Sequence, residues 1–210
     1  MISDKYKCIF IHIERTGGTS IGRALLGVGR NDKLKLDSNH GPKHIVAKDA
    51  KKMIGNKRWN SYFKFSIVRN PWDLVVSNYF FPWFHKKGEG VGFKEWLLRW
   101  ENNSEWKNNT IRSNSIPQLN AISINNKIVM DYIIRYETLD EQWKDVANIL
   151  SAKPVLENDW KYRVEKYSYL KERKNYPFYY DQESIDIVAR KYKKDIEYFG
   201  YKFGDNIIEK

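Results

Sequence analysis

A 210-residue chain can bury one full hydrophobic core, and its 37 Lys and Arg against 26 Asp and Glu give a formal charge of +11. That surplus favours anionic partners such as nucleotides, nucleic acid, acidic polysaccharide or a membrane surface, without choosing among them. Cys8 is the one cysteine, which excludes an intrachain disulfide. It stands in an apolar run and reads as core. "MISDKYKC" leads straight into a strand pattern rather than a signal peptide, and no apolar run approaches the ~20 residues of a membrane span. The expectation is one soluble, cytoplasmic domain over residues 1–210, with aromatics at 15% of the chain supplying the core or a groove beside it.

In chain order, Lys7 to Ile13 reads as a short buried strand, with Ile9, Phe10, Ile11 and Ile13 in a near-continuous apolar run. "TSIGRALLG" opens a helix with Thr19 or Ser20 as the capping candidate and Gly27 as its stop. Residues 28–44 are polar and read as loop. "IVAKDAKKMIG" is a second short helix closed by Gly55, and "SYFKFSIV" (61–68) is a second strand. In "RNPWDLVVSNYFF", Asn70 suits the N-cap, Pro71 the first helical position, and Asp73 the positive end of the helix dipole.

"FKEWLLRW" (93–100) has aromatic and Leu positions at helical spacing. "SINNKIVMDYIIRYE" predicts a hairpin turning at Asn125-Asn126, then a strand through Ile134. "LDEQWKDVANIL" is a helix ended near Pro154, and residues 155–178 are irregular and basic. A long terminal helix follows, capped by Asp181 and stopped by Gly200. Strands alternating with helices predict an α/β fold, a three-layer sandwich whose mainly parallel central sheet is flanked by helices.

Two strand-to-helix junctions carry the chemistry. In "IERTGGTS", a strand feeding a helix through small residues leaves backbone N–H groups pointing outward at the positive end of the helix. Gly17 and Gly18 permit close approach, Thr16, Thr19 and Ser20 add hydroxyls, and Arg15 adds a fixed charge. The spacing is neither the triphosphate loop nor the dinucleotide fingerprint, and the same chemistry suits a plain tight corner. At the second junction, Arg69 ends a strand and Ser77 lies two turns into the next helix, a pair suited to a second phosphate.

"FIHIERTGGTSI", followed some fifty residues later by "FSIVRNPWDLVVSNYF", resembles the PAPS-dependent sulfotransferases. The branch it resembles is the carbohydrate one, which includes the heparan 2-O-sulfotransferase type and bacterial relatives. "KHIVAKDAKKMIG", "FKEWL", "DYIIRYETLDEQWKDVANIL" and "YYDQESIDIVARKYKKDIEYFGYKF" extend the likeness over nearly the whole chain. The resemblance implies a nucleotide-kinase-like fold and transfer of a sulfuryl group from 3′-phosphoadenosine 5′-phosphosulfate (PAPS) to a hydroxyl, without a metal. It implies that Arg15, Thr16, Gly17, Gly18, Thr19 and Ser20 form the 5′-phosphosulfate loop and that Arg69 and Ser77 hold the 3′-phosphate. Arg173 or Lys174, in "KERKNY", would add a contact there.

Glu14 and Arg15 replace the family's usual Pro and Lys, and Leu74 replaces a frequent Arg. Arg15 preserves charge at the leaving group but cannot lend a proton. Of the four histidines, His12 reads as structural, and His44 in "GPKHIVA" resembles the histidine that the family presents to its acceptor. An imidazole suits proton abstraction near neutral pH. His40 is the next candidate, Lys43 would help to neutralise sulfate, and His85 with Trp83 and Phe84 suits an acceptor loop. Glu14, beside the loop, would repel the donor. The loops at 28–44, 82–92 and 102–118 are expected to line the acceptor site. The alternatives are an ATP-dependent kinase, which the missing Lys-Ser/Thr of a triphosphate loop disfavours, and a basic glycan- or nucleic-acid-binding module, for which no motif is present.

Overall fold

Two-residue β1 (Ile2–Ser3) pairs antiparallel with β2 (Cys8–Ile11), and β2 opens a run of parallel pairings. The computed structural model describes residues 1–27, 44–81, 91–102, 116–156, 169–170 and 173–205. The described chain forms two compact units, Met1–Val68 with Ile111–Asp159 and Arg69–Thr110 with Trp160–Lys210.

In the first unit, β2 is followed by α1 (Gly18–Leu26), α2 (Ala47–Ser61) and β3 (Phe63–Val68). A short helix α3 (Gln118–Ala121) precedes the hairpin β4 (Ser123–Ile124) and β5 (Lys127–Ile128), then β6 (Tyr132–Arg135) and α4 (Leu139–Leu150). The four-stranded sheet runs β1-β2-β3-β6, with β2, β3 and β6 parallel and in the register Phe10↔Phe65 and Phe65↔Tyr132. On one face, Cys8, Phe10, Phe65, Ile67 and Ile134 pack with Ile21 and Leu25 of α1 and with Trp143, Val146, Ala147 and Leu150 of α4. Ile9 and Ile11 alternate to the opposite face and are fully buried too, as the continuous apolar run requires of a central parallel strand. Trp143, fully buried, satisfies its indole N–H on the Lys153 carbonyl at 3.1 Å. Burial raises the Cys8 thiol to about 12, so it is an unreactive core residue, as expected.

The second unit holds α5 (Pro71–Tyr79), α6 (Phe93–Asn102), a 3₁₀ turn at Tyr176–Tyr179, α7 (Gln182–Lys191) and α8 (Lys193–Phe199). Every residue of α5 from Pro71 to Asn78 is buried. Its start has the predicted chemistry: Asn70 accepts the Trp72 N–H through its side chain, with Pro71 at the first helical position. Phe93 of α6 meets Tyr79, Tyr179 and Tyr180 edge-on or tilted at 4.9–5.8 Å. The fold class is as expected: mixed α/β, with a mainly parallel central sheet flanked by helices. Among the described residues, no helix is long and apolar enough to cross a membrane.

Three local expectations are corrected. The α1 cap is Gly17, at φ 85, and Thr19 and Ser20 lie inside the first turn. With the left-handed Gly17 as its cap, the helix starts at Gly18, before the positions a Thr19 or Ser20 cap would set. Gly55, at φ 77 and ψ 162, does end the helical turns begun at Ala47, as expected, but a further helical segment follows it to Ser61, so the second strand begins at Phe63 rather than at Ser61. The terminal helix is two helices broken at Tyr192, with Asp181 capping the first through Ser184 and Gly200 ending the second.

Candidate functional site

The β2–α1 connection leaves the sheet at the carboxyl ends of parallel strands, where open α/β sheets place their ligands. Arg15 (φ 65) and Gly17 (φ 85) both lie in the left-handed region. For the non-glycine Arg15 this conformation costs on the order of 1–3 kcal/mol, and such strain clusters at binding sites. Thr16 is fully buried and its hydroxyl donates to the Ile13 carbonyl at 2.7 Å, so its side chain braces the turn. The amides of Ser20 and Ile21 return to the Gly17 carbonyl, at 3.0 and 3.4 Å. Those of Gly18 and Thr19 are first in the helix and have no carbonyl within it to reach, at the end of a helix whose dipole favours an anion. Thr19 and Ser20 are half-buried at this end.

Neither glycine of the pair has space for a side chain. A Cβ on Gly17 would lie 2.8 Å from Leu139 Cδ2 and 3.4 Å from the Tyr136 ring. One on Gly18 would overlap the His12 ring at Nε2, Cδ2 and Cε1. His12 is 5% exposed and its ring stacks on Phe10 at 5.4 Å. The structural reading of His12 therefore acquires a specific content: its ring backs the glycine that begins α1.

The His44 ring lies 4.5 Å from the His12 ring, tilted by 44° to it. Its Nδ1 lies 3.4 Å from the His12 carbonyl oxygen and its Nε2 lies 3.5 Å from Glu14 Oε1. Glu14, expected only to repel a donor, thus faces an imidazole. The structure brings His44, His12, Glu14 and the loop of residues 15–20 together within the first unit. The separation of Glu14 and His44 by 30 positions concealed their pairing.

In the second unit, Arg69 is buried and donates through Nε and Nη2 to Asp73 Oδ2, at 2.9 and 2.6 Å. Arg173 donates through Nη2 to the other oxygen, Oδ1, at 3.0 Å, with its guanidinium 5.7 Å from the Phe80 ring. Two guanidinium groups thus share one carboxylate inside a largely buried cluster. Ser77, 1% exposed, lies one helical turn beyond Asp73 and so on the same face of α5. The structure thus joins Arg69 to Arg173 through Asp73. Lys174 is placed otherwise: its ammonium lies 5.5 Å from the Phe178 ring. Asp73 reads from sequence as a dipole complement, and its four-residue spacing from Arg69 was the available signal for a pair. His40, His85, Lys43, Trp83, Phe84 and most of the expected acceptor loops lie outside the described residues.

The first unit also holds a cavity of about 340 Å³ between α2 and the β4–β5 hairpin, lined by Lys48, Lys51, Lys52, Gly55, Asn56 and Ile124. The three lysines share one helical face at spacings of three and four, where like charges repel by a few tenths of a kcal/mol.

The sulfotransferase family model matches residues 1–202 of this chain. An uncharacterized protein of Archaeoglobus fulgidus is 30% identical over 97 residues, 46% of this chain and 72% of the relative. No solved structure matches the chain.

Proposed function

The chain belongs to the sulfotransferase family, and from that membership we propose that it transfers a sulfuryl group from PAPS to a carbohydrate hydroxyl by in-line displacement. The two units are read as parts of one sulfotransferase domain, because the family match runs through both. The β2–α1 connection carries the proposal. A left-handed Arg15 and Gly17, a Gly18 closed to any side chain and the amide end of α1 support reading this connection as a cradle for a phosphate or sulfate oxygen.

Arg15, Thr16, Gly17, Gly18, Thr19 and Ser20 are assigned to the 5′-phosphosulfate, with Thr16 acting through its brace on the turn. Arg69 and Ser77 are assigned to the 3′-phosphate, with Arg173 beside Arg69 through Asp73. Lys174, on the same segment, is kept as an outer contact to the nucleotide. The acceptor oxygen forms its bond to sulfur as the bond from sulfur to the 5′-phosphate oxygen breaks, and the hydroxyl proton passes to His44. Arg15 stabilises the departing phosphate by charge and hydrogen bonds alone, since a guanidinium does not release its proton. The lysine-lined cavity on α2, the helix that His44 precedes, favours an acceptor bearing negative charge. The acceptor is taken to be cytoplasmic.

Calorimetric titration tests the nucleotide assignment. Tight, metal-independent binding of 3′,5′-adenosine bisphosphate is expected, with weaker binding of ATP. Binding of ATP with magnesium as tight as that of the bisphosphate would overturn the assignment. The base role has its own test. His44→Ala is expected to lower kcat by roughly 10²–10⁴-fold, the usual contribution of a positioned base, with bisphosphate affinity unchanged. Retained turnover would move the base elsewhere.

A further inference from the structure

Glu14 stands one residue before the left-handed Arg15, on the connection assigned to the donor's 5′ end, where a bare carboxylate would oppose an anionic ligand. The structure turns its charge to another object. Glu14 Oε1 faces His44 Nε2 at 3.5 Å, while the His12 carbonyl oxygen faces His44 Nδ1 at 3.4 Å. A carbonyl and an ionised carboxylate only accept hydrogen bonds, whereas neutral imidazole has one N–H and one lone pair. Neutral His44 would therefore direct a lone pair at one of these oxygens. The imidazolium presents an N–H to both.

His12 is a further titratable group against His44, and its ring, 5% exposed, stacks on Phe10 and lies beside Gly18. The helix that follows His44 opens with Lys48 and Asp49, one of each sign.

From these contacts we infer that Glu14 is a positioning residue for the reaction: it orients His44 and balances the charge that His44 carries after taking the acceptor's proton. The inference rests on the reading of His44 as the base. A carboxylate behind an imidazole does the same in hydrolase triads, holding the ring and stabilising the imidazolium without taking the proton itself. The arrangement predicts an acid limb of the rate that depends on the Glu14 charge through this 3.5 Å contact.

Proton NMR titration of the histidine rings in the full chain tests this, with the His44 signal identified by its loss in His44→Gln. In Glu14→Gln the His44 midpoint is expected to shift to lower pH, and the acid limb of kcat to shift with it. The alkaline plateau of kcat should fall roughly tenfold as the base weakens and loses its orientation. Glu14→Asp, which keeps the charge, should restore most of the midpoint. A His44 midpoint unmoved by Glu14→Gln would overturn the inference whatever the base is. A shifted midpoint combined with full activity in His44→Ala would instead sink the base reading, leaving an ion pair with no part in the reaction.

Discussion

Gly18→Ala is expected to lower Tm by several degrees and to abolish binding of 3′,5′-adenosine bisphosphate. The added methyl has nowhere to go, because it would occupy the position of three atoms of the His12 ring. That ring cannot simply swing aside: Phe10 stacks on it at 5.4 Å and His44 lies against it at 4.5 Å. Overpacking at a buried site costs about 1–3 kcal/mol, which in a chain of this size corresponds to several degrees. The alternative is for the backbone of the α1 N-terminus to retreat, which moves the amides of Gly18 and Thr19 away from the anion they are assigned to. Either response damages the site. His12→Ala in the same chain should recover part of the lost stability, since it removes the obstructing ring, and the pair should be strongly non-additive. Wild-type Tm and affinity in Gly18→Ala would show that the start of α1 does not depend on this contact.

The sequence disclosed the elements whose signals are local. The limits of α4 coincide with "LDEQWKDVANIL", Gly27 and Gly200 end their helices at φ 65 and 67, and the Asn70–Pro71 start is as read. Asn125 and Asn126, at φ 51 and 60, make the tight hairpin that two asparagines favour. Where a local signal was ambiguous, the reading failed for a physical reason. The buried positions Val188, Tyr192, Asp195 and Phe199 keep helical spacing across the break at Tyr192, so periodicity runs through an interruption that only the backbone angles reveal. Thr19 and Ser20 are good caps by type, but Gly17 reaches a left-handed conformation and caps a helix that already begins at Gly18.

The site was legible as two junctions, and its partnerships were not. Arg15 to Ser20 and Arg69 to Ser77 are short segments whose residue types state their chemistry. Two of the contacts that tune them are long-range, Glu14 with His44 and Asp73 with Arg173 across 100 positions, while His12 meets Gly18 through its ring across the turn between them. Such pairs depend on where the sheet and helices deliver the chain, and a single sequence carries no record of that.

Arg69→Ala should produce the second large effect, on binding and stability together. Its guanidinium is 2% exposed and makes two hydrogen bonds to Asp73 Oδ2. Removing one partner of a buried ion pair costs about 3–5 kcal/mol when the other charge is left alone. Here Arg173 stays on Asp73 Oδ1 at 3.0 Å, so the expected loss is about 3 kcal/mol or somewhat less. On the proposed assignment to the 3′-phosphate, the lost contact adds a separate penalty: a charge-assisted hydrogen bond is worth about 1.5–3 kcal/mol, or roughly 10- to 150-fold in the affinity for 3′,5′-adenosine bisphosphate. Lys distinguishes the two contributions. Arg69→Lys keeps the charge but not the planar fork, so it should recover more stability than affinity. Phosphate selectivity supplies the control, because adenosine 5′-monophosphate lacks the 3′ group and its weaker binding should be nearly unchanged by Arg69→Ala. Equal losses for both nucleotides would detach Arg69 from the 3′-phosphate and leave it as a structural partner of Asp73.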